Sequence, residues 1–225
     1  MQYTLRSFNW VCIRQINKGI FMPCKQLLSI FFIVILSACS SIKDTPVENI
    51  PLNQTINERN QQLSKLNSWT IAGKIAFINS KERHSASLHW QKNHALETES
   101  LNLSTLFGIK ILELKREKSN FNVEVDGEHY QTQDLDNLIY RLTGLNLPTR
   151  AMNSWLKGIA YLPSDKIIYN ERTQLPEILT SQYNNKYWQI KYSKYYHIGA
   201  FQLAKQLTIS QDDLRIKIII HSWKI

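Results

Sequence analysis

Beyond residue 39 this chain has no cysteine: Cys12, Cys24 and Cys39 are the three it contains. A disulfide framework, a thiolate zinc site and a cysteine nucleophile are therefore excluded from everything after Cys39. Glycine is also scarce, at 7 in 225 residues, and the glycines are scattered, so no Gly-rich phosphate loop can form. There is no GxSxG nucleophile elbow and no HExxH. The histidines His84, His89, His94, His129, His197 and His221 fall at spacings that suit exposed or half-buried structural roles rather than metal ligation. Helical and strand patterns do not alternate in βαβ order, which argues against a nucleotide-binding parallel sheet. No apolar run reaches the roughly 20 residues that a membrane-crossing helix needs. A chain without a nucleotide site can drive only steps that run downhill in free energy, and these absences together argue against an enzyme.

What is present begins with a targeting segment. Residues 27–36, LLSIFFIVIL, are apolar or small, with Lys25 before them and small residues after them. That is the layout of a secretory signal peptide. Leu36-Ser-Ala-Cys39 is similar to the lipobox of bacterial lipoproteins, which implies that residues 1–38 are removed and that Cys39 becomes the mature N-terminus, carrying a diacylglyceryl group and an N-acyl chain. The stretch before Lys25 is long for a signal peptide, and Met22 is the expected start of translation. Removing residues 1–38, with Arg6, Arg14, Lys18 and Lys25, lowers the formal charge from +9 to +5, a mildly basic surface that suits an anionic membrane face. No Lys/Arg run interleaved with aromatics points to nucleic acid. Ser40 stands where an aspartate would mark inner-membrane retention, so the outer membrane is the expected location. Residues 39–57 read as a polar tether and residues 58–225 as one folded domain.

Within that domain a short helix is expected over residues 56–66. From Trp69 the period changes to two: Trp69, Ile71, Ile75 and Phe77 alternate with small or polar residues, as do Ala86, Leu88 and Trp90. The pattern continues through Leu101/Leu103, Ile109/Ile111 and Phe121/Val123/Val125, where Asp126-Gly127 signals a hairpin. Residues 132–142 switch to helical spacing, with Leu135, Leu138, Ile139 and Leu142 on one face, Thr132 as the expected N-cap and Gly144 as the stop. Asp134 and Asp136 fall in the first turn, where carboxylates complement the helix dipole. A second helix is expected after Pro148, carrying Ala151, Met152, Trp155 and Leu156. Strands resume over residues 177–183, 187–192, 202–210 and 214–220. Eight to ten strands, paired antiparallel with their sequence neighbours, make a sheet large enough to curl toward a barrel, and residues 132–158 are a natural helical lid over its open end. The space between sheet and lid is either packed with side chains or left for a ligand.

Taken in order, Trp69-x3-Gly73-x2-Ala76, Ser85-Ala-Ser-Leu-His-Trp90, Leu-Phe-Gly108, Asp126-Gly127, Leu142-Thr-Gly-Leu-Asn-Leu-Pro148 and Trp155-Leu-Lys-Gly158 resemble the LolB family of outer-membrane lipoprotein receptors of Gram-negative bacteria. The likeness covers nearly all of the chain after Cys39. It implies an incomplete antiparallel β-barrel, mainly β with some α, covered by helices around a hydrophobic cavity. It implies a monomer on the periplasmic side of the outer membrane that accepts triacylated lipoproteins from the periplasmic carrier LolA and inserts them into outer-membrane lipid, with no cofactor apart from the lipid on Cys39. In the family an apolar residue just before a loop glycine is needed for insertion. Phe107, before Gly108, matches it, but Leu106 stands where proline is common, so either residue is eligible as the protruding tip. Ile159-Ala160 likewise replaces a frequent Leu-Pro. Cavity-lining candidates are Ile75, Phe77, Leu88, Trp90, Leu138 and Trp155, for each of which plain core packing is the alternative. A second reading is a lipid-anchored binding protein for a free lipid or other amphiphile.

Overall fold

The computed structural model describes residues 54–145 and 147–225. The signal segment, a start at Met22, the lipidation site Cys39 and most of the tether lie outside the described residues. Chain order is α1 (Ile56–Lys65), β1 (Trp69–Ile78), β2 (Arg83–Asn93), β3 (Thr98–Ser104), β4 (Lys110–Glu117), β5 (Asn120–Val125) and β6 (Glu128–Thr132), then α2 (Leu135–Thr143) and α3 (Thr149–Leu156), then β7 (Lys166–Tyr169), β8 (Pro176–Tyr183), β9 (Lys186–Ile198), β10 (Phe201–Gln211) and β11 (Leu214–Lys224).

All eleven strands pair antiparallel in one sheet, ordered β6-β5-β4-β3-β2-β1-β11-β10-β9-β8-β7. The sheet is not closed: β6 and β7 are its two edges, and α2 and α3 are the chain segment that runs between them. Sequence alternation becomes a continuous apolar face because the register aligns it from strand to strand. Trp223, Ile71, Trp90, Leu101, Leu114, Val123 and Tyr130 stand opposite one another across β11 to β6. A second row, Ile167, Leu179, Ile190, Ile209, Ile216 and Phe77, crosses from β7 to β1. With a side-chain period of two, slipping any strand by one residue would turn such a row to water, so burial itself fixes the register.

The helices cover this face unequally. Leu63 of α1 and Ala151, Met152, Trp155 and Leu156 of α3 join the main core, while Leu135 and Leu138 of α2 form a separate cluster with Leu114 and Val123 of β4 and β5. Local signals set the helix ends. Thr55 and Glu58 close a capping box, with Thr55 N–H donating to Glu58 Oε2 at 2.7 Å and Glu58 N–H to Thr55 Oγ1 at 3.2 Å. α2 is capped by Asp134, which accepts from Asn137 N–H at 3.3 Å, and not by Thr132, whose hydroxyl accepts from Asp134 N–H instead. Two hydroxyl or carboxylate candidates lay two residues apart, and the nearer one won. β7 was not anticipated because four residues are too few to display a period. β9 runs past Tyr192 because Lys194, in the left-handed region at φ 60°, makes an irregularity that breaks the alternation without ending the pairing with β10.

Candidate functional site

Four of the six cavity candidates, Ile75, Leu88, Trp90 and Trp155, are buried together in the main core, and Phe77 packs half-buried against it. Leu138 lies instead in the smaller cluster beneath α2. Trp155 is held on every side: its ring centroid is 6.0 Å from that of Trp188 and 6.3 Å from that of Tyr183, and its carbonyl accepts the Tyr192 hydroxyl at 2.8 Å. Leu101 and Leu112 are partly buried and pack against both clusters. They mark an apolar seam where the cover of α3 gives way to that of α2.

The β3–β4 connection is built differently. Gly108 N–H donates to Thr105 O at 3.1 Å and Thr105 N–H to Ile109 O at 2.9 Å, closing a tight turn around Leu106 and Phe107. Gly108 follows with φ +81°, a conformation that a side chain would strain. Leu106, Phe107 and Ile109 are 81%, 92% and 65% exposed. Both Leu106 and Phe107 are exposed on this turn, Phe107 the more so. Ile109, expected as a strand residue beside Ile111, precedes the start of β4 and adds a third apolar side chain to the tip. Soluble surfaces rarely gather large apolar side chains in this way without a partner for them.

Two junctions hold the helical cover. Asp136 of α2 accepts the hydroxyl of Thr149 from α3, the Tyr183 hydroxyl at 3.1 Å and Asn184 Nδ2 at 3.4 Å, so one carboxylate ties α2 to α3 and to the β8–β9 turn. Burial, reinforced by the Asp136 charge, pushes the Tyr183 phenol far up and keeps it a donor. The second junction is reciprocal. Arg59 of α1, 1% exposed, donates to the carbonyls of Lys157 at 3.2 Å, Gly158 at 3.3 Å and Gln202 at 3.1 Å, while Lys157 Nζ donates to Leu66 O at 3.1 Å. Each helix thereby offers a cation to the carbonyls at the other's C-terminal end, where the dipole is negative. No carboxylate pairs with Arg59 or Lys157 among the ion pairs of the described residues.

Burial pushes the Lys157 ammonium down to about 8, with Lys92 adding repulsion. Between that value and the ordinary lysine range near 10.5, the folded chain has released a proton that the unfolded chain still binds, so stability rises with pH. Thermal unfolding should therefore move to higher temperature between about pH 8 and 9.5, and Lys157→Met should flatten the rise. A rise of unchanged size in that variant would contradict the assignment.

Sequence reading did not find these junctions. Arg59 reads as one more polar residue in an exposed helix, and Asp136 as a helix-dipole partner; only the placement of α1 and α3 against the sheet shows what each is bonded to.

The profile of the family described as Outer membrane lipoprotein LolB matches residues 67–223, from the strand-opening Trp69 to the last strand. The chain belongs to the LolB family. It is 29% identical over 203 residues to the outer-membrane lipoprotein LolB of Tolumonas auensis, covering 89% of this chain and 97% of that one. It is 30% identical over 201 residues to the LolB of Pseudoalteromonas translucida, covering 88% and 93%. Among solved structures, a DUF1329 family protein from Desulfovibrio piger shares the fold with a TM-score of 0.51 at 8% identity, over 75% of this chain and 90% of that one. Membership in LolB makes this an outer-membrane lipoprotein of the lipoprotein-localisation system.

Proposed function

We propose that this protein is the receptor that takes acylated lipoproteins from the periplasmic carrier LolA, holds their acyl chains between the open sheet and its helical cover, and releases them into the outer membrane, without nucleotide and without catalysis. The observation that carries this reading is the pairing of a seamed apolar interior with an apolar tip whose Leu106, Phe107 and Ile109 are exposed. The chemistry of the cargo requires such a pairing. Each buried methylene is worth about 0.8 kcal/mol, so three acyl chains in water would cost on the order of tens of kcal/mol. A protein must shield them at both ends of the journey. Direction then follows from affinity alone, with the chains held better here than on the carrier and better still in the bilayer.

In this reading the seam over Leu101 and Leu112 is where the interior opens, since the residues there are only partly buried and the two core clusters on either side are separate packing units. Ile75, Phe77, Leu88, Trp90, Leu138 and Trp155 then form the wall that loaded chains would meet after the seam parts. Phe107 and its neighbours Leu106 and Ile109 graze the bilayer at release. One aromatic contributes about 1.5 to 3 kcal/mol on burial, enough to touch the membrane and too little to hold the protein there. Stable attachment belongs to the lipid on Cys39.

Photo-crosslinking tests the site. p-Benzoylphenylalanine at Leu112 should capture acyl chains of cargo delivered by LolA, whereas the same group at Lys74, on the opposite face of β1, should not. Capture at Lys74 and not at Leu112 would refute the site. Capture of free phospholipid alone at Leu112 would favour a carrier of free amphiphiles.

A further inference from the structure

We propose that a polar cavity at the edge of the helical cover binds the zwitterionic phosphoethanolamine headgroup of a membrane phospholipid. This cavity, about 430 Å3, is lined by residues of α2, α3 and the β8–β9 segment. The inference rests on the reading above in one respect, that this protein works at a bilayer.

The charges in the cavity select the ligand. Asp134 and Asp136 line it together with Arg150 and Lys186, yet neither cation forms an ion pair among the described residues. Asp136 is committed to Thr149, Tyr183 and Asn184, whereas Asp134 uses only Oδ1, to cap α2. That leaves one carboxylate oxygen and two cations for a ligand. A simple anion would meet two carboxylates, and a simple cation would meet Arg150 and Lys186. A phosphate joined to an ammonium by two carbons offers each wall its opposite, with charge-assisted hydrogen bonds at both ends.

The aromatic lining agrees. Tyr140 presents a half-exposed ring that suits an ammonium. Trp188 lines the cavity, its Nε1–H has no acceptor among the described residues, and its ring packs on Trp155 in the core. Trp188 also carries apolar lining from the cavity toward the interior, as a headgroup attached to acyl chains requires. Volumes of this size hold small ligands in other proteins.

Calorimetric titration of the full lipid-anchored protein in a non-ionic detergent tests the assignment. The probes are dihexanoyl phosphatidylethanolamine, dihexanoyl phosphatidylglycerol, free O-phosphoethanolamine and inorganic phosphate. The ethanolamine lipid should bind at least tenfold more tightly than the glycerol lipid and than free phosphoethanolamine. Arg150→Ala with Lys186→Ala should lower its affinity at least tenfold with the unfolding temperature unchanged, because neither side chain forms an ion pair among the described residues, and Asp134→Asn, which keeps an oxygen to cap α2, should narrow the preference between the two lipids. Equal affinity for the two lipids would overturn the zwitterion assignment. Free phosphoethanolamine or phosphate binding as tightly as the lipid would overturn the lipid as its source, and unaltered binding by the double variant would overturn the site. Cargo acceptance from LolA, measured on the same double variant, should persist, so failure here and failure of the receptor reading give different results.

Discussion

Phe107→Glu should fold with an unchanged unfolding temperature, accept cargo from LolA at the parental rate, and fail to pass it to membranes. Stability is spared because the side chain is 92% exposed and Gly108, not Phe107, supplies the left-handed residue of the turn. Delivery is lost because the apolar contribution of one aromatic, about 2 to 3 kcal/mol, is replaced by a carboxylate that resists entry into lipid. That corresponds to roughly a 30- to 160-fold fall in the rate of transfer to vesicles. Leu106→Glu should do less, and the double variant more than either alone. The assay counts cargo remaining on the protein against cargo in floated vesicles. Normal delivery by Phe107→Glu would remove the tip from the mechanism.

The largest effect on stability is expected at the seam where the two halves of the sheet join. Gly73 sits at the irregularity of β1 opposite β11, between Ala72 and Gly73. A Cβ built there would lie 2.2 Å from Ile219 O and 3.0 Å from Ile220 Cα, both backbone atoms of the partner strand. Neither can rotate away, as a flexible side chain would. Gly73→Ala must therefore spread β1 from β11, losing ladder hydrogen bonds and the row that aligns Ile71 with Trp223. A loss of about 3 kcal/mol or more is expected, at the upper end of overpacking costs. Denaturant unfolding measures it, as a fall in midpoint at constant slope. A loss below about 1 kcal/mol would mean that the bulge tolerates a methyl group and that the contact is looser than it stands.

Residues whose effect depends on period were legible in the sequence. Trp69, Ile71, Ile75, Leu88 and Trp90 alternate as a half-buried strand must, and they fall in one core. The lid helices were legible for the same reason, since Leu135 and Leu138, or Ala151 and Trp155, recur at helical spacing. The exposed turn between β3 and β4 was legible through Phe107 and Gly108, although Ile109 was assigned to the following strand because its parity with Ile111 is that of a strand residue. What was hidden depends on tertiary placement. Nothing local tells Arg59 from any exposed helical arginine until α1 lies against Lys157, Gly158 and Gln202. Nothing local gives Asp136 its three donors, which come from α3 and from the β8–β9 turn. The division of the cover into two units, with Leu138 apart from Trp155, is likewise a property of which strands each helix reaches.

Under the proposed function, acyl chains move onto this protein because it holds them better than the carrier does. The direct measurement loads radiolabelled triacylated lipoprotein on LolA, adds this protein in the absence of membranes and nucleotide, and separates the two proteins. Label is expected to leave LolA and co-purify with this chain, and vesicles added afterwards to take it up. Label that stays on a LolA preparation competent with a known receptor would contradict the claim.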